Sequence, residues 1–260
     1  MTIITRTSAL QFVQTVALPR ASNLGFESTE DAPALDFDFD AARSQAMIVG
    51  SDVVSFVTGV TAERRQDIVQ SALLAQLAAN KQVPDRTQIF DWYGAYFDVL
   101  TNIGWLAQDI SFSEFSQDLE NLEAHEAILK MATGLLGQSV GALALVKATL
   151  DALINTGENK PWITLFNRES KSGKTARFQM MLVDQQASGP FMVHLMAFGF
   201  EAKMEVTQVL FFKFRKGDAK IKQHSGKVTI DADVLASVRP VLKTKLAAHA
   251  GDFIARLPDL

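Results

Sequence analysis

The clearest hydrophobic pattern lies in residues 190–231, where three strand-like runs follow one another with short breaks. The middle run, residues 206–216, contains four consecutive apolar residues, Val-Leu-Phe-Phe, at 209–212. Side chains alternate between the two faces of a strand, so consecutive apolar residues place apolar side chains on both faces. The pattern predicts a strand in the middle of a sheet, covered on both sides by helices or by something that the protein meets later.

Further strands are predicted on either side of this run. Residues 162–170 and 175–186 have strand-like patterns and flank a hairpin turn at residues 171–174. The last strand covers residues 219–230, and its apolar residues change parity halfway along. Such a change turns the apolar side chains to the other face, so we expect a β-bulge at Ser225-Gly226 that resets the register.

Helical periodicity dominates the first half of the chain. An apolar residue every three or four positions predicts helices over Ser8–Leu18, residues 52–80, Gln88–Trp105 and Asn121–Thr156, with a last helix from near Asp231 to Leu257. The alternation LDFDFD at 35–40 predicts an exposed edge strand. Helices followed by a series of strands is the order expected of an α+β protein rather than of alternating βαβ units.

Two of the predicted helices are unusually apolar. Residues 88–105 are rich in aromatic side chains, which suits either a helix buried by its aromatic face or an aromatic belt at a membrane interface. Residues 121–156 carry no charge between Lys130 and Lys147, but this stretch is shorter than the roughly 20 residues that a transmembrane helix needs. Both helices suit a protein core, and the sequence leaves a membrane role open.

Composition limits the classes of function. The chain has 260 residues, 48% of them hydrophobic, so it can bury a large core. Its formal net charge of -4 argues against a protein that neutralises many phosphates, and we expect no nucleic-acid partner. The absence of cysteine excludes disulfides, thiolate metal sites and a cysteine nucleophile. The first residues, MTIITRTSALQ, contain no apolar h-region, so we expect a soluble protein released without a conventional signal peptide.

Two short motifs raise the question of enzyme or metal chemistry. Residues 137–141 fit G-x-S-x-G, but a nucleophile elbow needs a strand before its serine, and here the pattern is helical on both sides. Asp36, Asp38 and Asp40 have the spacing of a calcium loop, but Ala41 stands where that loop needs glycine. We therefore predict no catalytic residue, no metal site and no cofactor.

A basic run surrounds the predicted turn at Gly217. Only Asp218 opposes its six cations, which are Lys213, Arg215, Lys216, Lys220, Lys222 and Lys227. Basic residues beside an apolar strand can hold an anionic membrane surface, each contributing about 1 kcal/mol. The same lysines could instead form a solvated hairpin tip that prevents edge-to-edge pairing of strands. The sequence leaves both interpretations open.

Residues 192–230, MVHLMAFGFEAKMEVTQVLFFKFRKGDAKIKQHSGKVTI, resemble the strand meander of the Cyt cytolysins, the bacterial cytolytic delta-endotoxins. In that family a VLFF strand is similarly followed by a polar turn and a basic alternating strand. WITLF at 162–166 and FQMMLVDQQASGPFMV at 178–193 are similar to the two preceding strands. LDFDFDAARSQA at 35–46 is similar to the segment that leads into the helices of the fold, which volvatoxin and the Erwinia virulence factor share.

The resemblance implies one Cyt-like domain with a three-layer α/β/α architecture, in which helical hairpins wrap an antiparallel sheet. In this chain it implies mainly helical layers over 1–160, the sheet strands over 161–231 and a C-terminal helix over 232–257. Members of the family bind phospholipid without a protein receptor. Their helices move aside, and the long strands enter the bilayer or the protein disrupts it by accumulating. Inserted strands would have to self-associate, because backbone groups in lipid must be paired.

The resemblance also implies the residues that carry this activity. Those expected to enter the membrane are Val193, Leu195, Phe198, Phe200, Val209, Leu210, Phe211, Phe212, Phe214 and Ile221, and those expected to contact its surface are the six cations of the basic run. We therefore expect a cytolysin or virulence factor without catalytic residues, acting at the membrane of a target cell. The alternative is a non-lytic lipid-binding or partner-binding module on the same fold.

Overall fold

The structure is a computed structural model of the chain. It describes residues 4–20, 37–107, 110–114, 122–137, 139–155, 160–185, 190–214 and 219–257. The α+β class predicted from the sequence is confirmed, because helices surround one central sheet.

The described residues form one sheet of nine strands. These are β1 (Gln45–Val49), β2 (Asp52–Phe56), β3 (Trp105–Leu106), β4 (Ser113–Glu114), β5 (Lys171–Ser172), β6 (Thr175–Gln185), β7 (Phe191–Ala202), β8 (Ala219–Ile230) and β9 (Ile254–Arg256). The main order is β3-β8-β7-β6-β2-β1-β9, while β4 also pairs with β8 and β5 with β6. The long strands β6, β7 and β8 are antiparallel, as predicted, but β2 and β6 are parallel. The sheet is therefore mixed.

The helices of the described residues belong to two groups. In chain order they are α1 (Arg6–Thr15), α2 (Ala62–Gln82), α3 (Ile89–Asn102), α4 (Ala124–Leu136), α5 (Val140–Asn155), α6 (Pro161–Ser170), α7 (Ala232–Leu246) and α8 (Ala250–Phe253), with a 3-10 turn at Ala247–His249. Helices α1, α2, α3 and α7 bury their apolar residues on one face of the sheet, and α4, α5 and α6 on the other. The predicted three layers are therefore present.

Each face of the sheet has its own hydrophobic core. We call the core beneath α1, α2, α3 and α7 core A, and the core beneath α4, α5 and α6 core B. Strand β7 contributes to both, because Val193 and Leu195 point into core A while Phe198 and Phe200 point into core B. Like β6, this strand is apolar on both faces and covered on both sides.

Strand β8 contains no bulge, contrary to the prediction. It pairs with β7 without interruption from Ala219 to Thr229. Ile221 faces core B near one end of the strand, and Val228 and Ile230 face core A near the other. The change of parity arises because different helical layers cover the two ends of a regular strand.

The segment between β7 and β8 is the main correction to the predicted sheet. Residues 203–214, which we call the crossing segment, contain turns and one isolated bridge from Lys213 to Glu123 instead of a strand. Val209 and Leu210 are almost completely buried in core B. Consecutive apolar residues therefore reflect a buried irregular segment here, because such a segment is covered around its whole circumference.

Residues 162–170, predicted as a strand, form helix α6. Pro161 occupies its first turn, where the fixed φ of proline favours a helix and the missing N–H needs no partner. Ile163 and Phe166, three positions apart, are buried on the side that faces core B. The apolar residues of WITLF resemble a strand, but the three-residue spacing of Ile163 and Phe166 matches the helix.

Three further boundaries differ from the sequence pattern. Residues 52–56 are strand β2, and α2 starts only after Thr61, whose side chain accepts a hydrogen bond from the Arg64 N–H. Gly137, at φ 59°, ends α4, so the long helix predicted over 121–156 is two helices. The last helix ends before β9, which pairs with β1.

The acidic edge strand predicted over residues 35–40 does not form in its described part. Leu35 and Asp36 lie outside the described residues, and residues 37–40 have no strand pairing. Asp40 Oδ1 instead accepts a hydrogen bond from the Ala42 N–H, at 2.8 Å, in a turn. The ring of Phe39 packs against that of Phe56, with 5.5 Å between their centroids. The apolar residues of this segment therefore reach core A without joining the sheet.

Candidate membrane-interaction surface

The predicted membrane-entering residues lie in both cores. Those in core A are Val193 and Leu195, and those in or beside core B are Phe198, Phe200, Val209, Leu210, Phe211, Phe212, Phe214 and Ile221. Phe211 and Phe212 are only partly buried, whereas the others are buried. The structure therefore brings eight of the ten to one face of the sheet and separates the remaining two.

A cluster of phenylalanine rings occupies core B. The centroid of the Phe200 ring lies 5.1 Å from that of Phe212 and 5.5 Å from that of Phe214. These ring contacts pack β7 against the crossing segment. The Phe198 ring stacks on Phe178 of β6, with 4.8 Å between centroids. Sequence reasoning missed Phe178, although its parity in the strand pattern of residues 175–186 is a usable signal. The cluster gives core B a large aromatic surface.

The crossing segment is fastened at both ends. The Phe214 N–H donates to Leu122 O at 2.8 Å, and the Ala124 N–H donates to Phe212 O at 3.0 Å. Earlier in the segment, the Val206 N–H donates to Gly173 O at 2.8 Å. Its second half is therefore bonded to the start of α4, and its first half to the β5–β6 turn.

The predicted basic surface is divided between the two faces of the sheet. Lys220 and Lys222 share parity with the β8 residues that face core A, and both are exposed. Lys227 has the opposite parity and lies beside His194 on the other face. Lys213 belongs to the crossing segment, and Arg215 and Lys216 lie outside the described residues. The described cations therefore do not form one patch.

A polar network that the sequence did not reveal lies beneath α2 and α3. Gln76 of α2 accepts hydrogen bonds from the Ser51 N–H, at 2.8 Å, and from its hydroxyl, at 3.0 Å, and its amide also donates to Val49 O. Tyr96 of α3 donates to Asp52 Oδ2 at 2.8 Å. Tyr93 donates to the backbone oxygens of β6 and β7, at 3.0 Å and 2.7 Å. These bonds attach both helices to the sheet.

Burial controls the protonation of this network. Asp52 is fully buried, and loss of hydration raises its pKa well above that of an exposed aspartate, although the Tyr96 hydroxyl opposes the shift. Arg177 of β6 is 3% exposed, and burial lowers its pKa to about 10. Its guanidinium lies 4.2 Å from the centroid of the Trp92 ring and donates to Asn80 Oδ1 at 3.2 Å. The sheet face in core A therefore carries ionisable groups deep inside the protein.

A cavity of about 470 Å³ opens beside the first turn of α3. The charged residues that line it alternate in sign across neighbouring strands. Lys220 lies opposite Glu201 of β7 in the sheet, and Lys222 lies opposite Glu114 of β4. The ammonium of Lys222 lies 4.9 Å from the centroid of the Phe90 ring. The cavity therefore presents charges of both signs and an aromatic ring to a small ligand.

The remaining candidate chemistry concerns metal ions, membrane-spanning helices and a nucleophile elbow. Within the described ranges, no group of three or more histidine, aspartate or glutamate residues could hold a metal ion. No helix in the described part of the chain is both long enough and apolar enough to cross a bilayer. Gly137 separates two helices, so the G-x-S-x-G residues do not follow a strand.

Comparisons with known proteins give matches among solved structures. No family model and no curated protein matches the chain. A structure named as a delta-endotoxin is 14% identical, with 82% of this chain and 91% of that chain covered and a TM-score of 0.39. The Evf virulence factor is 10% identical, with 83% and 87% covered and a TM-score of 0.41.

A third solved structure extends the same group. The activated Cyt2Ba monomer from Bacillus thuringiensis subsp. israelensis is 11% identical, with 70% of this chain and 97% of that chain covered and a TM-score of 0.36. The chain is thus similar to solved structures of a delta-endotoxin, the Evf virulence factor and Cyt2Ba, the group that its sequence resembles.

Proposed function

We propose that this protein is a membrane-active cytolysin or virulence factor that binds phospholipid bilayers and permeabilises them. The observation that carries the proposal is strand β7, which is apolar on both faces and is covered by helices on each side. Helices that cover a strand in water can be replaced by lipid hydrocarbon, which is as apolar as the residues it would contact. The proposed activity requires no catalytic residue and no cofactor.

The lengths and pairing of the long strands support this proposal. Strands β6, β7 and β8 contain 11, 12 and 12 residues, and a tilted strand of about 9–11 residues crosses a bilayer. Their antiparallel pairing satisfies the backbone groups between them. The outer edges would still need partners in lipid, so the proposal includes self-association of the chain on the membrane.

Lys220 and Lys222 are proposed as the first contacts with an anionic surface. Both are exposed, and both lie on one side of β8. Lys227 is also exposed but lies on the opposite face, so it serves as a matched control. The protein's formal net charge of -4 favours such local contacts over broad attraction to polyanions, and nucleic acid is not a proposed partner.

Dye release from anionic and zwitterionic vesicles tests the function. The wild type should release dye with a steep dependence on protein concentration. Lys220→Glu with Lys222→Glu should reduce release from anionic vesicles at least tenfold, because each lost cation contributes about 1 kcal/mol near such a surface and about 1.4 kcal/mol corresponds to a factor of ten. Lys227→Glu should have a smaller effect than Lys222→Glu alone, which changes the charge by the same amount. Absence of both binding and release for the wild type would refute the proposed function.

The cavity beside α3 favours a second candidate, a non-lytic lipid-binding or partner-binding module. Its volume of about 470 Å³ lies in the range of small-molecule sites, and its lining combines an aromatic ring with charges of both signs. Such a module would sediment with vesicles, or bind a soluble ligand, without releasing dye. The same vesicle experiment therefore separates the two candidates.

A further inference from the structure

We infer that the sheet face in core B is the surface that meets the hydrocarbon of a bilayer, and that α4 and α5 are the helices that leave it. This inference rests on the proposed function and identifies which of the two helical layers opens. The two faces of the sheet differ in polarity, and the two layers differ in how they are attached.

The sheet face in core A is poorly suited to lipid. Asp52, Arg177 and Gln179 lie on it, each at most 3% exposed. With its amide turned towards Asp52, Gln179 donates to Oδ1 at 2.5 Å, so these polar groups depend on one another and on α2 and α3. Ionisable side chains in a bilayer are unfavourable unless they are paired. Removing α2 and α3 would leave them facing hydrocarbon.

Helices α2 and α3 are also held by directional bonds. Gln76, Tyr93 and Tyr96 each donate or accept at least one buried hydrogen bond with the sheet or its hairpin turn. Arg65 of α2 is completely buried and donates to Val60 O at 2.8 Å and to Gln45 Oε1 at 2.6 Å. The bonds of Gln76, Tyr93 and Tyr96 to the sheet and the bond from Arg65 to Gln45 would have to break for this layer to leave, and each unpaired buried group is unfavourable.

The sheet face in core B is apolar where the long strands are covered. Along β6 and β7 its residues include Phe178, Met180, Leu182, Met196, Phe198 and Phe200. Lipid hydrocarbon can replace the helices over these side chains, and the buried polar residues on this face of β2 and β7 are Ser55 and His194. This face therefore keeps most of its favourable apolar contact when a bilayer takes the place of its helices.

Helices α4 and α5 are attached mainly by apolar contact. Among the described residues, one side-chain hydrogen bond joins them to the strands, between the hydroxyls of Ser55 and Thr149 at 3.0 Å. The backbone bonds of α4 go to the crossing segment, where the His125 N–H donates to Leu210 O at 3.2 Å. The second half of the crossing segment can therefore move together with α4, which keeps these bonds intact, once the bond from the Val209 N–H to Asn167 Oδ1 of α6, at 3.0 Å, has broken.

Two engineered disulfides distinguish the layers. The chain contains no cysteine, so added pairs have no competing partner. Ser55→Cys with Thr149→Cys would fasten α5 to β2, because the two hydroxyls are already 3.0 Å apart. Ile89→Cys with Gly199→Cys would fasten α3 to β7, because a Cβ at Gly199 would lie 2.8 Å from Ile89 Cγ2. The second pair is the matched control.

The leakage rate that each double-cysteine variant causes in vesicles is compared between its oxidised and reduced forms. In the oxidised state, the α5 disulfide should reduce the leakage rate at least tenfold, with recovery after reduction. The α3 disulfide should leave leakage within twofold of its reduced form. Inhibition by the α3 disulfide, alone or together with the α5 disulfide, would overturn the inference, and so would full activity of both oxidised variants.

Hydrogen exchange provides a measurement that does not depend on leakage. In dilute denaturant, the amides of α4 and α5 should exchange through a lower-energy opening than those of α2 and α3. If the wild type neither binds nor permeabilises vesicles, the proposed function fails while this order can still hold. If α2 and α3 open first, the inference about the layers fails whatever the vesicles show.

Discussion

Asp52 connects the protonation of one carboxyl to the packing of α3 on the sheet. It is fully buried and accepts a hydrogen bond from Tyr96, and burial raises its pKa. In the unfolded chain this carboxyl loses its proton near pH 3.9, whereas in the folded protein it keeps the proton to higher pH. Folding then requires proton uptake, so Asp52 lowers the free energy of unfolding as pH rises above about 4.

Replacing Asp52 with asparagine should remove this contribution. The advantage of Asp52→Asn over the wild type should grow with pH, by up to about 1.4 kcal/mol per unit, between about pH 4 and the raised pKa. Urea unfolding from pH 4 to pH 8 measures the difference. Tyr96→Phe is the control, because it removes a hydrogen bond from Asp52 without removing the carboxyl. Parallel pH profiles for Asp52→Asn and the wild type would contradict the assignment.

At the scale of elements, two glycines test how closely α3 approaches the sheet. Gly199 in β7 lies against Ile89, and Gly94 is exposed within α3, where an added Cβ meets no atom within 4 Å. Gly199→Ala should lower the free energy of unfolding by about 1–3 kcal/mol through overpacking. Gly94→Ala should raise it by about 0.5–1 kcal/mol, because alanine favours a helix more than glycine does.

Thermal and chemical denaturation of the two variants provide the measurement. The effect of Gly199→Ala should be smaller in an Ile89→Ala background, where the clashing methyl group is absent. Equal effects in both backgrounds would show that the glycine is not needed for close packing against α3.

The elements differ in how well the sequence predicts them. Strand β7 is predictable because its alternating positions are apolar in both parities, and α3 because its aromatic residues recur at helical spacing. The crossing segment is not predictable in this way, because a run that is apolar in both parities suits a central strand and a buried loop equally well. Local pattern reports that a residue is buried, whereas hydrogen-bond partners such as Gly173 and Leu122 are set by the tertiary fold.

The candidate site was predictable to a similar degree. The aromatic and aliphatic residues of core B follow from strand parity, and eight of the expected ten lie there or beside it. The division of the lysines between two faces could not be derived, because it depends on β8 remaining regular through Gly226. The network around Asp52 was also missed, because its members come from distant parts of the chain.

Arg86 links the helical layers at the scale of the whole molecule. It lies between α2 and α3, and its guanidinium donates to Arg168 O at 2.5 Å and to Glu169 O at 2.8 Å, near the end of α6. Cations are favourable at the C-terminal end of a helix, where backbone oxygens are unpaired. Arg86 therefore bridges the two sides of the sheet and retains α6, which the proposed opening leaves in place.

Arg86→Ala should lower the free energy of unfolding by about 1 kcal/mol, through the loss of these hydrogen bonds. Hydrogen exchange should accelerate in the last turn of α6 more than in α4. Lys130→Ala, on the exposed side of α4, is the control and should change stability by less than about 0.5 kcal/mol. An Arg86→Ala variant as stable as this control would refute the bridging role.

The parallel pairing of β2 with β6 has a consequence for how the chain folds. The β1–β2 hairpin and the β6–β7 pair each join neighbouring parts of the sequence, but Val54 meets Met181 only after α2 to α6 have been placed between them. Bringing such distant residues together slows folding, because a long loop must close before its contacts stabilise it. We therefore expect the β1–β2 hairpin and the β6–β7 pair to form early. The parallel pairing of β2 with β6 should then be the slow step of folding.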